Sequence, residues 1–499
     1  MRNKLHPISI FRHSYKLSLA NIIGYILQIP VFLYVASRLG PENYGLVAFV
    51  MLWAFYGRLI RPGMLSAAAR EMPHNIGKGE AGSAIYIQNI CITYEFIYYL
   101  FASSIIIVAS FFFKNPVVRI GLILVAISLL LDIIDSSYAN AQWSFQRFNI
   151  ITRINLFKAL ITPLFTFLLV FLLYTYGLLV LPVAISLFSI FYYLIFAPKL
   201  NFAITFNFKK LLPLLKVGIA LQLFTFLFWT FRGIDKTFVA MWFSAKQLGL
   251  YAFAMSFIHN IYKLISDFGN VLQPIVLSEL GRLGDALHVQ KEFNQLIIVL
   301  TMAGCIITNL AQAGFGAMVY WFVPKFIPSI KIFEILSFNI IFTAILIVPS
   351  ILLLSSLINK QKLCNIIYGI VLVMITLLAY LIVKMGVGVI GIACLFVGTQ
   401  VIITISMSVV SRKYLFKNNN ELFSFCLGML AILFFAVINY SVFLLNLFRY
   451  QQGSILIPFA GRIFFTLVYW GIIIFLAYRF FTKDKILLKL FKEKIIRAQ

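Results

Sequence analysis

Two arginines, Arg58 and Arg61, lie inside an apolar run that is long enough to cross a bilayer. A guanidinium keeps its charge and is costly in hydrocarbon, so an intramembrane arginine is a candidate functional residue. Residues three apart share one face of a helix, and both side chains are therefore expected to point the same way. We interpret them as fixed positive charges that face a water-filled cavity between helices and suit an anionic substrate.

Other ionisable residues within apolar runs complete the set of candidate site residues, because intramembrane charges are rare and usually functional. The cationic candidates for substrate binding are Arg58, Arg61, Arg232, Lys236 and Lys263. The acidic candidates, either for a coupling proton or Na⁺ or for ion pairs, are Glu95, Asp132, Asp135, Asp235 and Asp267.

The charges of the first half also have a structural interpretation. The two arginines of the second span have no acidic residue within one turn, and Glu95 on the next span is their alternative partner. Asp132, Asp135 and Lys158 lie at similar depth in neighbouring spans, which favours an interhelical network over an ion-coupling cluster.

The charges of the second half have helical spacings that allow local ion pairs. Asp235 is three residues from Arg232, and Asp267 is four residues from Lys263. The midplane cations outnumber the acids unless Asp132 and Asp135 also line the cavity. The sign of the cavity therefore depends on which groups face it.

The composition identifies lipid as the main solvent of this chain. Of its 499 residues 62% are hydrophobic and only 11% are charged, with mean hydropathy +0.99. The net charge is +26, but the basic residues mostly punctuate apolar runs and do not form a basic face, so we predict no nucleic-acid binding. The five cysteines form no CxxC pattern, and we predict no disulfide framework, metal site or cofactor.

Hydropathy predicts an all-α polytopic membrane protein with about fourteen transmembrane helices. The first run is too long for a signal peptide and is expected to remain as an uncleaved helix. The predicted spans are 17–37, 46–69, 84–113, 119–141, 154–174, 178–197, 216–243, 249–277, 294–322, 332–357, 365–383, 389–410, 422–444 and 456–480.

Charge asymmetry predicts the orientation of these spans. If the N-terminus is cytoplasmic, the inner segments hold about three times as many Lys and Arg residues as the outer segments, which places both termini in the cytoplasm. The basic tail at 483–497 is expected to form an amphipathic helix on the anionic inner leaflet. No connection has room for a soluble domain and no GxxxxGK[ST] motif is present, so we predict that the chain is not an enzyme.

An internal repeat divides the chain. GPENYGLVAF at 40–49 matches SAKQLGLYAF at 244–253, and two further short matches follow in the same order downstream. The repeats begin six spans apart, and an even number preserves orientation, which favours two lobes related by an axis along the membrane normal. We predict an N-lobe at 1–200 with spans 1–6, a C-lobe at 201–415 with spans 7–12, and spans 13–14 with a basic cytoplasmic tail at 416–499.

Two bundles with a cleft between them are typical of an alternating-access transporter. The segment 38–45 (RLGPENYG), the following 69–71 (ARE), and Asp235-Lys236 followed by 248–251 (LGLY) resemble the polysaccharide-exporter branch of the multidrug/oligosaccharidyl-lipid/polysaccharide (MOP) superfamily, and within it the Wzx-type O-antigen flippases. The resemblance covers the whole chain in span number and orientation. It implies a MATE-like pair of lobes that form a V-shaped cavity with basic residues.

The resemblance also implies a function. Such a flippase would carry an undecaprenyl-pyrophosphate-linked oligosaccharide from the inner to the outer leaflet of the cell inner membrane. The pyrophosphate would pair with the cavity arginines, the polyprenyl tail would stay among membrane lipids, and Trp53, Tyr56 or Trp229 would stack on sugar rings. A polysaccharide polymerase and chain-length proteins are further expected partners.

Three rival interpretations remain open. A drug or cation antiporter of the same superfamily would need an acidic or aromatic cavity, which the central arginines disfavour. A membrane polymerase or ligase of lipid-linked glycans would need a large outer loop for its catalytic residues, and the outer segments are short. A structural membrane protein would have no need of midplane charges.

Overall fold

The computed structural model describes residues 7–198, 202–283, 290–355, 358–416, 418–442 and 456–481. Within these ranges the chain is helical, with no β-strand, which confirms the predicted all-α class. The α-helices are α1 (Pro7–Leu59), α2 (Met64–Gly77), α3 (Ala81–Ser110), α4 (Pro116–Ser144), α5 (Phe148–Leu173), α6 (Thr175–Phe196), α7 (Phe208–Trp242), α8 (Ala245–Leu283), α9 (Gln290–Phe322), α10 (Ser329–Leu354), α11 (Gln361–Lys384), α12 (Gly388–Leu415), α13 (Asn419–Val442) and α14 (Leu456–Phe481).

The helices have the length and hydropathy of a multi-pass membrane protein. Among the described residues, eleven helices are long and apolar enough to span a bilayer, or twelve if the bent pair Leu27–Leu59 and Met64–Gly77 forms one span. Predicted spans three to fourteen correspond one to one with α3–α14. The first two differ, because α1 continues from the first span into the second across a kink at Gly40 (φ 72°, ψ 171°). The predicted helix in the basic tail lies outside the described residues.

The outer faces of the helices are apolar, as expected where hydrocarbon is the solvent. Large side chains such as Phe101 on α3, Leu172 on α5 and Phe434 on α13 are mostly exposed. Backbone polar groups are meanwhile satisfied within the helices. The surface is therefore suited to lipid along most of its extent.

The first compact unit comprises Lys16–Asn260 and Leu353–Ser406. In it α3 packs against α2 and α4, α6 packs against α4 and α5, and α7 packs against α2 and α11. Fully buried Val50, Leu122 and Leu129 belong to its apolar core. This unit contains most of the candidate site residues.

The second compact unit comprises Met1–Tyr15, Ile261–Leu352 and Met407–Gln499. Here α9 packs against both α13 and α14. Buried amides link these helices, since Trp470 donates its indole N–H to Asn309 (3.0 Å) and Asn309 donates to the Ala436 carbonyl (3.3 Å). The lobe boundaries predicted at residues 200 and 415 remain a prediction.

The two copies of the sequence repeat contact each other through matching glycines. A Cβ atom on Gly45 would overlap the Ala245 carbonyl, and one on Gly249 would overlap the Pro41 carbonyl. Pro41 and Ala245 each precede their own glycine by four residues. The contact is therefore reciprocal, as it is for surfaces related by a twofold axis, and it supports the duplication inferred from sequence.

Candidate functional site

The second predicted span is broken in its middle. Helix α1 ends at Leu59, residues 60–63 are not helical, and α2 begins at Met64 with a bend of 44°. Pro62 disfavours helical geometry at the residue before it, and Gly63 adopts a left-handed conformation (φ 77°, ψ 23°). The expectation that Arg58 and Arg61 share one helix face is therefore wrong, because Arg61 lies beyond the end of α1.

Two residues of helix α7 contact the break and stabilise it. The amide of Gln222 donates to the Leu59 carbonyl (3.2 Å), one of the acceptors that a helix end leaves without an intrahelical partner. Gly218 packs directly on Gly63, where an added Cβ atom would lie 2.5 Å from the Gly218 carbonyl oxygen. The break is thus a supported feature of the membrane bundle.

Arg58 in the last turn of α1 pairs with an acid on α4. Its Nε atom lies 2.5 Å from Oδ2 of Asp132, whose Oδ1 accepts a hydrogen bond from the Ser186 hydroxyl of α6 (3.0 Å). The Arg58 side chain is 44% exposed, whereas that of Asp132 is 19% exposed. The more exposed guanidinium of Arg58 therefore contacts one oxygen of the Asp132 carboxylate, while the hydrogen bond from Ser186 holds the other oxygen.

Arg61, within the break, lies beside a different helix. Its Nε atom is 3.8 Å from Oε1 of Glu95 on α3, and its side chain is 27% exposed. Glu95 is fully buried, and its Oε2 accepts the backbone N–H of Met64 (2.9 Å). The carboxylate thereby caps the N-terminus of α2, where a negative charge is favoured. Glu95 is thus the acid beside Arg61, as the structural interpretation anticipated.

The third intramembrane pair of this region joins α4 to α5. Lys158 Nζ lies 2.9 Å from Oδ2 of Asp135, which agrees with the expected interhelical network. Asp132, one turn earlier on α4, instead pairs with Arg58. In the part of the chain that the structure describes, the three intramembrane cations of helices α1–α5 each lie beside a carboxylate, so this group carries no surplus positive charge.

The charged residues of α7 have separate surroundings. Asp235 is fully buried and accepts a hydrogen bond from the Tyr251 hydroxyl (2.7 Å). The Arg232 guanidinium lies over the Phe228 ring, 4.8 Å from its centroid, and Lys236 is half-buried. These residues belong to the same compact unit as Arg58 and Arg61.

The remaining candidates are distributed as follows. Lys263 is exposed and belongs to the second compact unit, and the side chain of Asp267 lies outside the described part of the structure. Of the aromatic candidates, Tyr56 bonds Thr237 of α7 (2.7 Å), Trp53 packs near Phe113, and Trp229 is exposed.

Sequence reasoning missed three features of this site: the break itself, the Gln222 cap and the Ser186 contact to Asp132. The dipeptide Pro62-Gly63 signals a turn and could have revealed the break. A lone serine or glutamine in an apolar run carries no comparable signal. Within the described residues, no group of three or more His, Cys, Asp or Glu side chains could hold a metal ion.

A protein-family model described as "Polysaccharide biosynthesis protein" matches residues 35–311, more than half of the chain. The search of curated protein sequences found no match to this chain. Among solved structures, lipid II flippase MurJ in an inward closed conformation is similar with a TM-score of 0.68 and 15% identity, covering 94% of this chain and 98% of that one.

Two further structures extend the likeness. An inward-facing MATE-family multidrug resistance transporter of the MOP superfamily gives a TM-score of 0.59 at 10% identity, covering 83% of this chain and 96% of that one. A MOP superfamily transporter from Pyrococcus furiosus, described as having a binding pocket of reverse polarity, gives a TM-score of 0.53 at 14% identity. This alignment covers 81% of this chain and 96% of that one. At such identities the likeness establishes the fold, which is that of MurJ and the MATE transporters.

Proposed function

Since the chain belongs to the family of polysaccharide biosynthesis proteins, we propose that it is a flippase for a lipid-linked oligosaccharide. The proposed substrate is an undecaprenyl-pyrophosphate-linked repeat unit of O-antigen or a similar surface polysaccharide. The protein would move it from the cytoplasmic to the outer leaflet by alternating access. The MurJ-like fold supports this proposal, because that solved relative is named as a lipid II flippase.

The observation that carries the proposal is the exposed guanidinium of Arg58 at the end of a broken membrane helix. Its contact with Asp132 engages Nε, which is one of five N–H donors in the guanidinium. Lipid is a poor environment for this group, so its exposed side is best matched to water and to an anionic ligand. A planar guanidinium pairs with phosphate oxygens through two parallel hydrogen bonds, which suits a pyrophosphate.

The proposed mechanism uses these charges to hold the head group. An inward-open cleft would admit the sugar and pyrophosphate from the inner leaflet, while the polyprenyl tail stays among the lipids. Arg58 and Arg61 would hold the pyrophosphate, with Arg232 and Lys236 of α7 as further contacts. The exposed Trp229 would stack on a sugar ring. Rocking of the lobes would then expose the head group outside.

Binding alone gives this movement no direction. A membrane potential, an ion gradient or the consumption of the product outside must supply it. We propose that a polysaccharide polymerase consumes the product and that chain-length proteins are further partners. Both termini of this inner-membrane protein would be cytoplasmic. The chain itself would catalyse no covalent step and would need no cofactor.

A drug or cation antiporter is the second candidate function. The observation in its favour is that the carboxylates of Glu95, Asp132 and Asp135 lie beside the three cations of the same region. A site without surplus positive charge is less selective for anions. Measurements of drug susceptibility in cells that express the chain would distinguish the two functions.

The test uses cells that lack their own flippase and express this chain. The Arg58→Ala and Arg61→Ala variants should lower surface glycan at least about tenfold, the loss expected when a charge-assisted hydrogen bond to the substrate is removed. Arg119→Ala serves as the control, because Arg119 is exposed at the start of α4 and away from the break. Unimpaired export by both variants at normal membrane levels would reject the proposed site.

A further inference from the structure

We propose that Asp132 competes with the anionic head group for Arg58. The empty carrier then contains an internal ion pair, and the arriving pyrophosphate exchanges one partner of Arg58 for another. This inference rests on the proposed function, because it assumes that Arg58 binds the head group. It assigns to Asp132 the role of setting the affinity of the site.

The two members of the pair differ in how firmly they are held. Asp132 lies on α4, is 19% exposed, and has a second contact through Ser186 of α6 (3.0 Å). The guanidinium of Arg58 lies at the end of a long side chain that is 44% exposed. The guanidinium is therefore the member that can turn towards a ligand. When it does, Asp132 keeps the Ser186 hydroxyl and is not left without a hydrogen-bond partner.

Charge favours the exchange. A pyrophosphate diester carries two negative charges where Asp132 carries one, and it offers oxygens on both phosphates to the guanidinium fork. At equal distance two negative charges attract the guanidinium more strongly than one does, so the incoming anion outcompetes a single carboxylate.

The return of the carrier depends on the same pair. After release, an Arg58 without Asp132 would be an uncompensated charge inside the membrane, which is costly. With Asp132 in place the empty site is neutral. The carboxylate also keeps the substrate from binding too tightly to leave, a balance that every transport site needs.

The other two pairs are less suited to this exchange. Glu95 is fully buried and bound to the backbone of Met64, and its distance of 3.8 Å from Arg61 is too long for a hydrogen bond. Lys158 beside Asp135 offers a point charge and not a planar fork. Asp132 is therefore the carboxylate that best fits the role of competitor.

The experiment measures binding of inorganic pyrophosphate to the purified full-length protein by calorimetry. Asp132→Asn keeps the shape of the side chain and removes its charge, and it should bind pyrophosphate about tenfold more tightly, since a competing charge-assisted contact is lost. Asp132→Glu keeps the competing charge and should stay within about threefold of the parent. In cells, Asp132→Asn should export less glycan in spite of its tighter binding.

Asp135→Asn is the matched control. It removes an equal charge one turn further along α4, at a residue that contacts Lys158 and not Arg58. A general change in the electrostatic potential would tighten binding in both variants, whereas local competition affects Asp132→Asn alone. We expect Asp135→Asn to stay within about twofold of the parent.

The double variant Arg58→Ala/Asp132→Asn completes a cycle that isolates the pair. The gain from Asp132→Asn should vanish when Arg58 is absent. An unchanged, weaker or undetectable affinity in Asp132→Asn would overturn the inference, as would a gain that persists without Arg58. If Arg58→Ala abolishes export while Asp132→Asn fails to tighten binding, only this inference falls. If Arg58→Ala exports normally, Arg58 does not bind the head group and this inference falls, whereas the proposed function falls only if the parent chain itself restores no export.

Discussion

The two copies of the internal repeat differ in the middle of the helix that contains their matching glycines. In the first copy α1 stops at Leu59 and α2 starts at Met64, so that the helix is interrupted. In the second copy α8 runs unbroken over Ala245–Leu283. Counted from Gly45 and Gly249, the positions of Pro62 and Gly63 in the first copy are occupied by a serine and an aspartate in the second.

A membrane helix of this protein is interrupted only where several local features act together. Helix α8 contains Pro274 and continues through it, so a proline alone does not end a helix in this protein. The break combines Pro62 with a left-handed Gly63, and Gln222 caps the carbonyl that becomes available. The first copy of the sequence repeat thus contains a helix break that the second copy lacks, and both arginines of the candidate site lie at this break.

The largest effect should come from the feature that the two copies share. Gly45→Ala and Gly249→Ala each place a methyl group on a backbone carbonyl of the other copy, and rigid backbone cannot yield. Each should cost more than about 3 kcal/mol, and the two losses should be similar because the contact is reciprocal. Thermal unfolding in detergent measures both, with Gly82→Ala as control, since nothing lies within 4 Å of a Cβ atom there. Unequal losses would argue against a symmetric contact.

A somewhat smaller effect is expected at the feature that the copies do not share. Gly63→Ala strains a left-handed position and brings a methyl group within 2.5 Å of the Gly218 carbonyl oxygen, which together should cost about 2 to 3 kcal/mol. Gly77→Ala at the end of α2 is the matched control, because its Cβ atom would meet open space. Equal melting temperatures of the two variants would show that the break is not a fixed feature.

The cap on the break provides a third test. Gln222→Leu leaves the Leu59 carbonyl without its donor, and the expected loss of stability is about 1 to 2 kcal/mol. Gln222→Glu should be equally harmful, since a carboxylate cannot donate to a carbonyl. Export should fall more with Gln222→Leu than with an equally destabilising substitution far from the break, because Arg58 and Arg61 lie on either side of the capped residue, Leu59. If Gln222→Leu kept full export and wild-type stability, the cap would be needed neither for stability nor for the site.

The smallest effect is expected at Lys158 and Asp135. Their side chains are partly exposed, so removal of both charges in Lys158→Met/Asp135→Asn should change stability by no more than about 1 kcal/mol. The single Lys158→Met variant should be less stable than the double variant, since it leaves one charge without its partner. Unfolding midpoints measured side by side decide this, and a double variant worse than the single one would contradict the structural interpretation of the pair.

Much of the fold could be predicted from the sequence. Apolar runs of spanning length locate α3–α14 because hydrocarbon requires helices that satisfy their own backbone. The repeat at residues 40–49 and 244–253 likewise predicted two related segments, and the reciprocal glycines show them in contact. These are local properties, which one sequence displays directly.

The candidate site could be predicted only in part. The charged residues were recognised because any charge in an apolar run is conspicuous. Sequence reasoning named Glu95 and the network of Asp135 and Lys158, but it did not pair Arg58 with Asp132, which is 74 residues away. It also missed the contact between Ser186 and Asp132, which are 54 residues apart. Helical spacing misplaced Arg61, because the Pro62-Gly63 turn overrides the period of the run. Which pairs form depends on how helices pack, and packing has no signature in a single chain.

We propose that Arg58 binds the substrate and does not merely join α1 to α4. The most direct test exchanges the two charges in Arg58→Asp/Asp132→Arg and measures glycan export in flippase-deficient cells. An ion pair that is only structural survives this exchange, so the swapped protein should reach the membrane at a normal level. If Arg58 binds the substrate, export should nevertheless stay at the level of Arg58→Ala, because the guanidinium has moved to α4. Export restored to that of the parent protein would contradict this proposal.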